Sequence, residues 1–253
     1  MNEKTQADWD ACSDRYFGSK DRSRAVEEIK QNPMCAFPRE VRAMLKEAFP
    51  DFTGKKVLVP SCGNSYAVFA FHLLGAEVTA SDLSSQQLKN ARRIAESHGM
   101  GDIPFMQSDS MTLEGLPDGE FDLIHTSNGV HVWIGDLAMM YGAFQRVLRP
   151  GGRFIFFEVH PFHRPLKSGR RVKIVKPYTD LRGPSELEHH WRIEDFMRAL
   201  LGAGFAIEDL QELMAHEDDH DGYRWYDIFA KYNWRKNPMA ALPAWLAIRA
   251  TKK

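Results

Sequence analysis

Three short stretches of this chain carry side chains suited to holding a nucleoside. The first, Pro60-Ser61-Cys62-Gly63-Asn64-Ser65, is rich in chain breakers, and Gly63 lets backbone approach a ligand closely. It holds only one glycine of a G-x-G-x-x-G pattern, so by itself it reads equally as an ordinary strand-to-helix turn. Asp82 follows Gly63 by 19 positions. A carboxylate there can accept two hydrogen bonds from a ribose diol, or it can cap the next helix. Asp109, between Ser108 and Ser110, can accept a bond from an adenine amino group or stand as a solvated loop acid. Taken in order, the three are far more specific than any one alone. A second set suits proton transfer. His131 precedes Trp133, and Glu158 precedes His160. Histidine titrates near neutral pH and can act as a base. Glu158 and Pro161 flank His160 and can fix it, which puts His160 ahead of His131 as the candidate base. For both histidines the alternative is a structural ring bonded to a loop carbonyl.

The elements that must position these residues alternate strand and helix. Val57-Leu58-Val59, Glu77 to Ser81, Ile103 to Gln107, Phe121 to Thr126 and Phe154 to Phe157 read as strands. Tyr66 to Leu74 reads as a buried helix ending at Gly75. Ser84 and Gln87 can form a capping box for a helix whose Leu88, Ala91 and Ala95 share a face. Leu137, Met140, Tyr141, Phe144, Val147 and Leu148 mark another helix, stopped by Arg149-Pro150-Gly151-Gly152, and Ile193 to Leu201 marks a further one. Phe205 to Leu213 and Trp245 to Thr251 supply two more strands. Apolar strands separated by helices imply a doubly wound α/β sheet covered on both faces. In such a sheet ligands bind at the carboxyl ends of the strands, where the loop at Gly63, Asp82 and Asp109 all fall.

Composition narrows the function. The chain has 253 residues, 43% hydrophobic and 26% charged, with 33 basic against 34 acidic side chains. That near balance argues against a nucleic-acid partner. No apolar run approaches the roughly 20 residues of a membrane span, so no membrane partner is expected. Cys12, Cys35 and Cys62 are too few and too scattered for a disulfide framework or zinc knuckle, and reduced thiols fit a cytoplasmic protein.

From Lys55 to Leu213 the sequence resembles the class I S-adenosylmethionine-dependent methyltransferases of the broad type 11 kind. Val57-Leu58 with Cys62-Gly63 looks like the first motif of that family, and Val78 to Ser84, including Asp82-Leu83, like its ribose-binding strand. Ser108-Asp109-Ser110-Met111 looks like the adenine-contacting turn, and Phe121 to Ile124 with Ser127-Asn128-Gly129 like the fourth motif. Arg146 to Gly152 is similar to the helix and turn before the fifth strand. The resemblance implies seven strands with Trp245 to Thr251 antiparallel, and S-adenosyl-L-methionine as cofactor. It implies contacts from Pro60, Ser61, Cys62, Gly63, Asn64, Asp82, Leu83, Ser108, Asp109, Ser110, Ser127 and Asn128, and from N-terminal helices carrying Trp9, Tyr16 and Phe17. The chain departs from the family at Val59, where an acid is usual, and at Ser61 and Ser65, where glycines are usual. Val59-Pro60 is similar to the thiopurine-type variant.

The resulting expectation is in-line methyl transfer to a small-molecule acceptor of anionic or aromatic character. The alternatives are a non-catalytic binding homologue and an RNA methyltransferase. No Asn/Asp-Pro-Pro-aromatic motif and no cysteine follows the fourth strand, which counts against nucleic-acid amino or cytosine C5 methylation. Residues 1–54 read as a helical cover and 55–253 as the methyltransferase domain, forming one structural unit. Within it, an insert at about 160–190 carries His163, Arg164, Lys167, Arg170, Arg171, Lys173, Lys176 and Tyr178, then His189-His190. It reads as a specificity lid or as a solvated hairpin. Tyr223, Trp225, Tyr226, Phe229, Tyr232 and Trp234, within about 215–240, line a pocket, form a dimer contact or pack on the sheet. His189, His190, His216 and His220 suggest a metal only faintly, and no metal is expected.

Overall fold

A computed structural model describes residues 3–18, 23–63, 65–167, 171–214, 234–235 and 238–253, leaving aside the side chains of 15–18 and 23. Its centre is set by two strands buried along almost their whole length, β1 (Lys56–Val59) and β4 (Phe121–Thr126). Because side chains alternate along a strand, Val57 and Val59 join one apolar cluster and Leu58 the opposite one. Even His125 of β4 is buried, set edge-on to Phe37 and Phe71 with Nδ1 3.0 Å from the Ile155 carbonyl. Burial pushes its pKa down to about 4.

The sheet is completed by β2 (Glu77–Asp82), β3 (Phe105–Gln107), β5 (Leu148–Val159), β8 (Phe205–Leu213) and β9 (Trp245–Lys252), in the order β3-β2-β1-β4-β5-β9-β8. A separate two-stranded hairpin is formed by β6 (Leu166–Lys167) and β7 (Lys173–Ile174). The first five strands of the sheet run parallel, and β9 lies antiparallel to both β5 and β8, as the family resemblance implies. One face carries α2 (Ser23–Gln31), α3 (Arg39–Ala48), α4 (Tyr66–Leu73) and α5 (Ser85–Ser97); α6 (Leu137–Val147) and α7 (Ile193–Gly202) cover the other. The doubly wound expectation therefore holds.

Two boundaries differ from the sequence reading. The turn expected at Arg149–Gly152 lies within β5: Leu148 already pairs with Phe121, and the register shifts before Leu123 meets Arg153. Gly152 is required there, since a Cβ would stand 2.8 Å from the Arg149 carbonyl oxygen and 3.0 Å from that of Phe121. The capping box of α5 is half formed. Ser84 Oγ accepts from the Gln87 N–H at 3.0 Å, but the Ser84 N–H donates to Asp82 Oδ1, and Gln87 Oε1 accepts from Ser13 of α1 (Glu3–Gly18).

Candidate functional site

The parallel strands leave their carboxyl ends on one edge of the sheet, and the loops there enclose a cavity of about 250 Å³. The loop after β1, which lines it with Ser61, Cys62 and Gly63, holds three residues in the left-handed region, Ser61 (φ 50°), Gly63 (φ 48°) and Ser65 (φ 63°). Two of these are serines, at the positions where the resembled family has glycines. Each costs roughly 1–2 kcal/mol over glycine. Ser61 recovers part of that cost through Oγ, 2.7 Å from Ser110 Oγ, which ties the first loop to the turn after β3. Ser65 is buried, and its Oγ has a long contact of 3.7 Å to Cys62 Sγ. Burial and the neighbouring Asp82 raise the Cys62 thiol pKa, so it stays protonated.

Asp82 ends β2 with only 8% of its surface exposed, and both carboxylate oxygens are engaged by backbone. Oδ2 accepts from Gly63 N–H at 3.1 Å and Oδ1 from Ser84 N–H at 3.0 Å. Burial outweighs these bonds and pushes the pKa up to about 6. A carboxylate offers about four acceptor sites, so two remain for a ligand. Asp109 is equally buried, and its Oδ1 accepts from Met111 N–H at 2.9 Å. Asp82, Asp109, Ser61, Cys62, Gly63, Leu83, Ser110, Ser127 and Asn128 all line the one cavity. This donor set fits a nucleoside.

Helix α1 forms a further wall, contributing Thr5 and Trp9. It is fastened to α5 by polar side chains: Asp10 Oδ1 accepts from Ser84 Oγ at 2.5 Å and from Gln86 N–H at 3.1 Å, while Asn90 donates to Ser13 and Asp14. Trp9 meets Trp133 edge-to-face at 5.4 Å between ring centroids. Trp133, Val130, Ile134 and Met111 give the cavity an apolar portion. Thr5, Gln87, Val130 and Ile134 were not among the expected site residues, and Met111 was expected only as part of the turn after β3. Only their place beside an expected loop, or on the covering helix, was a signal for them.

Other expected residues lie elsewhere. Pro60 and Ser108 are buried but do not line the cavity; Ser108 Oγ donates to the Glu114 carbonyl at 3.2 Å. Asn64 and the side chain of Tyr16 lie outside the described residues. His160, the expected base, is fully buried away from the cavity: Nε2 is 2.9 Å from Glu212 Oε1, and Nδ1 accepts from Phe162 N–H at 3.3 Å. Both nitrogens are therefore occupied. His131 is buried against Phe156, Phe196 and Tyr141, also outside the cavity lining. Glu158, 2% exposed, sits behind the loop following β4 and accepts from Gly129 N–H at 2.9 and 3.0 Å and from His131 N–H at 3.2 Å. Burial would raise its pKa, but His131, Arg164 and Gly129 outweigh that and hold it below the usual carboxylate range.

The insert docks on that same loop: His189 N–H donates to the Val132 carbonyl at 2.7 Å and Trp191 Nε1 to that of Ile134 at 3.0 Å. Lys4 of α1 pairs with Glu186. Lys167, Arg171 and Lys173 are exposed on or beside the small hairpin. Arg170, His216, His220, Glu217 to Asp221 and the aromatic residues Tyr223, Trp225, Tyr226, Phe229 and Tyr232 lie outside the described residues; Trp234 is described and is 55% exposed. Among the described residues no cluster of three His, Cys, Asp or Glu could hold a metal ion, and no helix is long and apolar enough to cross a membrane.

Comparison with known proteins agrees with this geometry. Residues 58–156 match the family model described as a methyltransferase domain. An uncharacterized methyltransferase of Synechocystis sp. is 33% identical over 159 residues, covering 61% of this chain and 68% of that protein. A sterol 24-C-methyltransferase of Gibberella zeae is 27% identical over 177 residues, 68% of this chain but 45% of that protein. Matches to several of the curated relatives thus span less than half of those proteins' length. The crystal structure of an S-adenosylmethionine dependent methyltransferase from Mesorhizobium loti superposes with a TM-score of 0.64 at 24% identity, over 83% of this chain and 97% of that one. With the strand order, the matched domain and the Synechocystis relative in agreement, the chain belongs to the class I S-adenosylmethionine-dependent methyltransferase family.

Proposed function

We propose that the protein binds S-adenosylmethionine in the cavity between α1 and the strand ends and transfers its methyl group to a small apolar or aromatic acceptor. The observation that carries this reading is the convergence of Gly63, Asp82, Asp109 and Ser110 on one cavity roofed by Trp9. In it, Asp82 would hold the ribose diol, Asp109 and Ser110 the adenine, and the Ser61–Gly63 backbone with Ser127 and Asn128 the amino-acid end. When bound, the cofactor supplies an electrophilic methyl on a sulfonium. The chain's part is then to orient the acceptor and exclude water, which can supply much of the acceleration. Helix α1 serves as the cover, and Trp133, Val130 and Ile134 offer an apolar acceptor wall. The sterol relative acts on an apolar molecule by its name, which favours the same class here. Lys167, Arg171 and Lys173 of the insert do not line this cavity, which favours an apolar or aromatic acceptor over an anionic one. Reduced thiols at Cys12, Cys35 and Cys62 would accord with a cytoplasmic setting.

The test is calorimetry with S-adenosylmethionine and S-adenosylhomocysteine, followed by transfer of a labelled methyl group into small-metabolite fractions. Binding of both ligands with label appearing in a metabolite is expected. Tighter binding of a nicotinamide nucleotide than of either ligand would overturn the assignment.

A further inference from the structure

The loop after β4 forms much of the cavity wall, yet the group that shapes it lies behind the wall. Gly129 is left-handed (φ 86°) and Val130 right-handed (φ −80°, ψ −56°). Successive residues of opposite hand turn their backbone N–H groups toward a common point and form a nest for an anion. Here the anion is internal. Glu158 Oε1 and Oε2 share the Gly129 N–H, Oε2 also takes the His131 N–H, and Oε1 takes the Val159 N–H at 2.8 Å. His131 Nδ1 stands 3.5 Å from Oε2, and Arg164 Nη2, from the start of the insert, 3.7 Å from Oε1. A buried carboxylate is costly unless paired and hydrogen-bonded, and these partners leave it few acceptor sites to spare.

We infer that Glu158 is a positioning residue: as the internal anion of this nest it fixes the Ser127–Ile134 wall, and through Arg164 it couples that wall to the insert. The inference rests on the methyl-transfer reading only for its kinetic consequence. Of the residues assigned to the cofactor only Ser127 and Asn128 belong to this wall, whereas Val130, Trp133 and Ile134 of the acceptor wall all do, so loosening the nest should weaken the acceptor side more than cofactor affinity.

Glu158→Gln tests this by keeping the shape while replacing one accepting oxygen with a donor. Three readouts are taken on the full chain: hydrogen exchange of the Gly129 and His131 amides, S-adenosylhomocysteine affinity, and rate against dilution of a small-metabolite extract at saturating labelled S-adenosylmethionine. Both amides should exchange about tenfold or more faster, in line with loss of a charge-assisted bond. The half-saturating extract concentration should rise about tenfold, with S-adenosylhomocysteine affinity within about threefold of wild type. Arg164→Gln, which leaves the nest's donors and acceptor in place, should move the same readouts in the same direction by less, and it provides the test if Glu158→Gln does not fold. Unchanged exchange in the two amides would overturn the inference, as would equal losses on the cofactor and acceptor sides. If wild-type protein binds no S-adenosylhomocysteine and transfers no label, the functional reading fails, while the exchange result still decides the clamp.

Discussion

Replacing Asp82 by Asn should stabilise the protein while disabling ligand binding, and the size of the effect follows from the burial of the carboxylate. Desolvation holds its pKa at about 6, against 3.8 for a free aspartate, despite N–H donors at 3.0 and 3.1 Å. The native state therefore binds more protons than the unfolded state between those two values. Stability associated with Asp82 is fully present below about pH 3.8 and is lost as pH rises through about 6. At 1.36 kcal/mol per pKa unit, the ionised group destabilises the ligand-free fold by about 3 kcal/mol at pH 7.5. Asn removes the charge but can accept only one of the two N–H bonds, and the orphaned donor costs about 1–3 kcal/mol. The net expectation is a gain of about 0–2 kcal/mol at pH 7.5, disappearing or reversing near pH 4.5, where wild-type Asp82 is mostly protonated. Urea melts of both proteins at the two pH values measure it. Calorimetry should show S-adenosylhomocysteine affinity falling about ten- to a hundredfold in the variant. A variant less stable than wild type at pH 7.5, or a difference that ignores pH, would refute the account of a desolvated carboxylate waiting for a diol.

Ser65→Gly should raise stability by about 1 kcal/mol, because it relieves a left-handed backbone and gives up only a long contact to sulfur; denaturant midpoints at constant slope would show it. Trp9→Ala removes an aromatic pair worth about 1 kcal/mol, so amides of α1 should exchange about fivefold faster, and unchanged rates would mean that polar contacts such as those of Asp10, Ser13 and Asp14 hold the helix without it. His160→Ala should cost about 1–3 kcal/mol of stability and leave S-adenosylhomocysteine affinity within about threefold, because the ring serves Glu212 and Phe162 rather than the cavity. Burial lowers the His160 pKa in spite of Glu212, so the wild type should lose stability as pH falls below about 6.5, and the alanine variant should lose less.

Strand-end chemistry was legible in the sequence because it is local. A run such as Phe121–Thr126 fixes where a strand stops, and the doubly wound plan fixes that its end faces a ligand. Gly63, Asp82 and Asp109 are therefore recognisable in the sequence, in order, as residues of one cavity. His160 and His131 were harder. They lie just beyond strands, where no periodicity says which way a side chain turns, and their partners are distant in sequence: Glu212 for one, Phe196 for the other. Glu158 illustrates the same limit. Its residue type suggested a proton-transfer role, while its contacts with Gly129 and Arg164 depend on a loop conformation set by a left-handed glycine. Trp133 could be placed at the cavity from its position after β4, but its contact with Trp9 required knowing where α1 lies.

The placement of β9 between β5 and β8 has a consequence for synthesis. While the chain is being made, β5 has β4 on one side and nothing on the other until residues 245–252 emerge. Its Phe154-Ile155-Phe156-Phe157 run is fully buried in the finished fold, and an apolar strand with an open edge is a template for pairing with a neighbouring chain. β8 offers no relief, since among the described residues its only sheet neighbour is β9 itself. The nascent protein thus carries an aggregation-prone edge from the completion of β5 until the residues of β9 are made. Yield on expression should then depend on translation rate and chaperone supply more steeply than the stability of the completed fold would suggest.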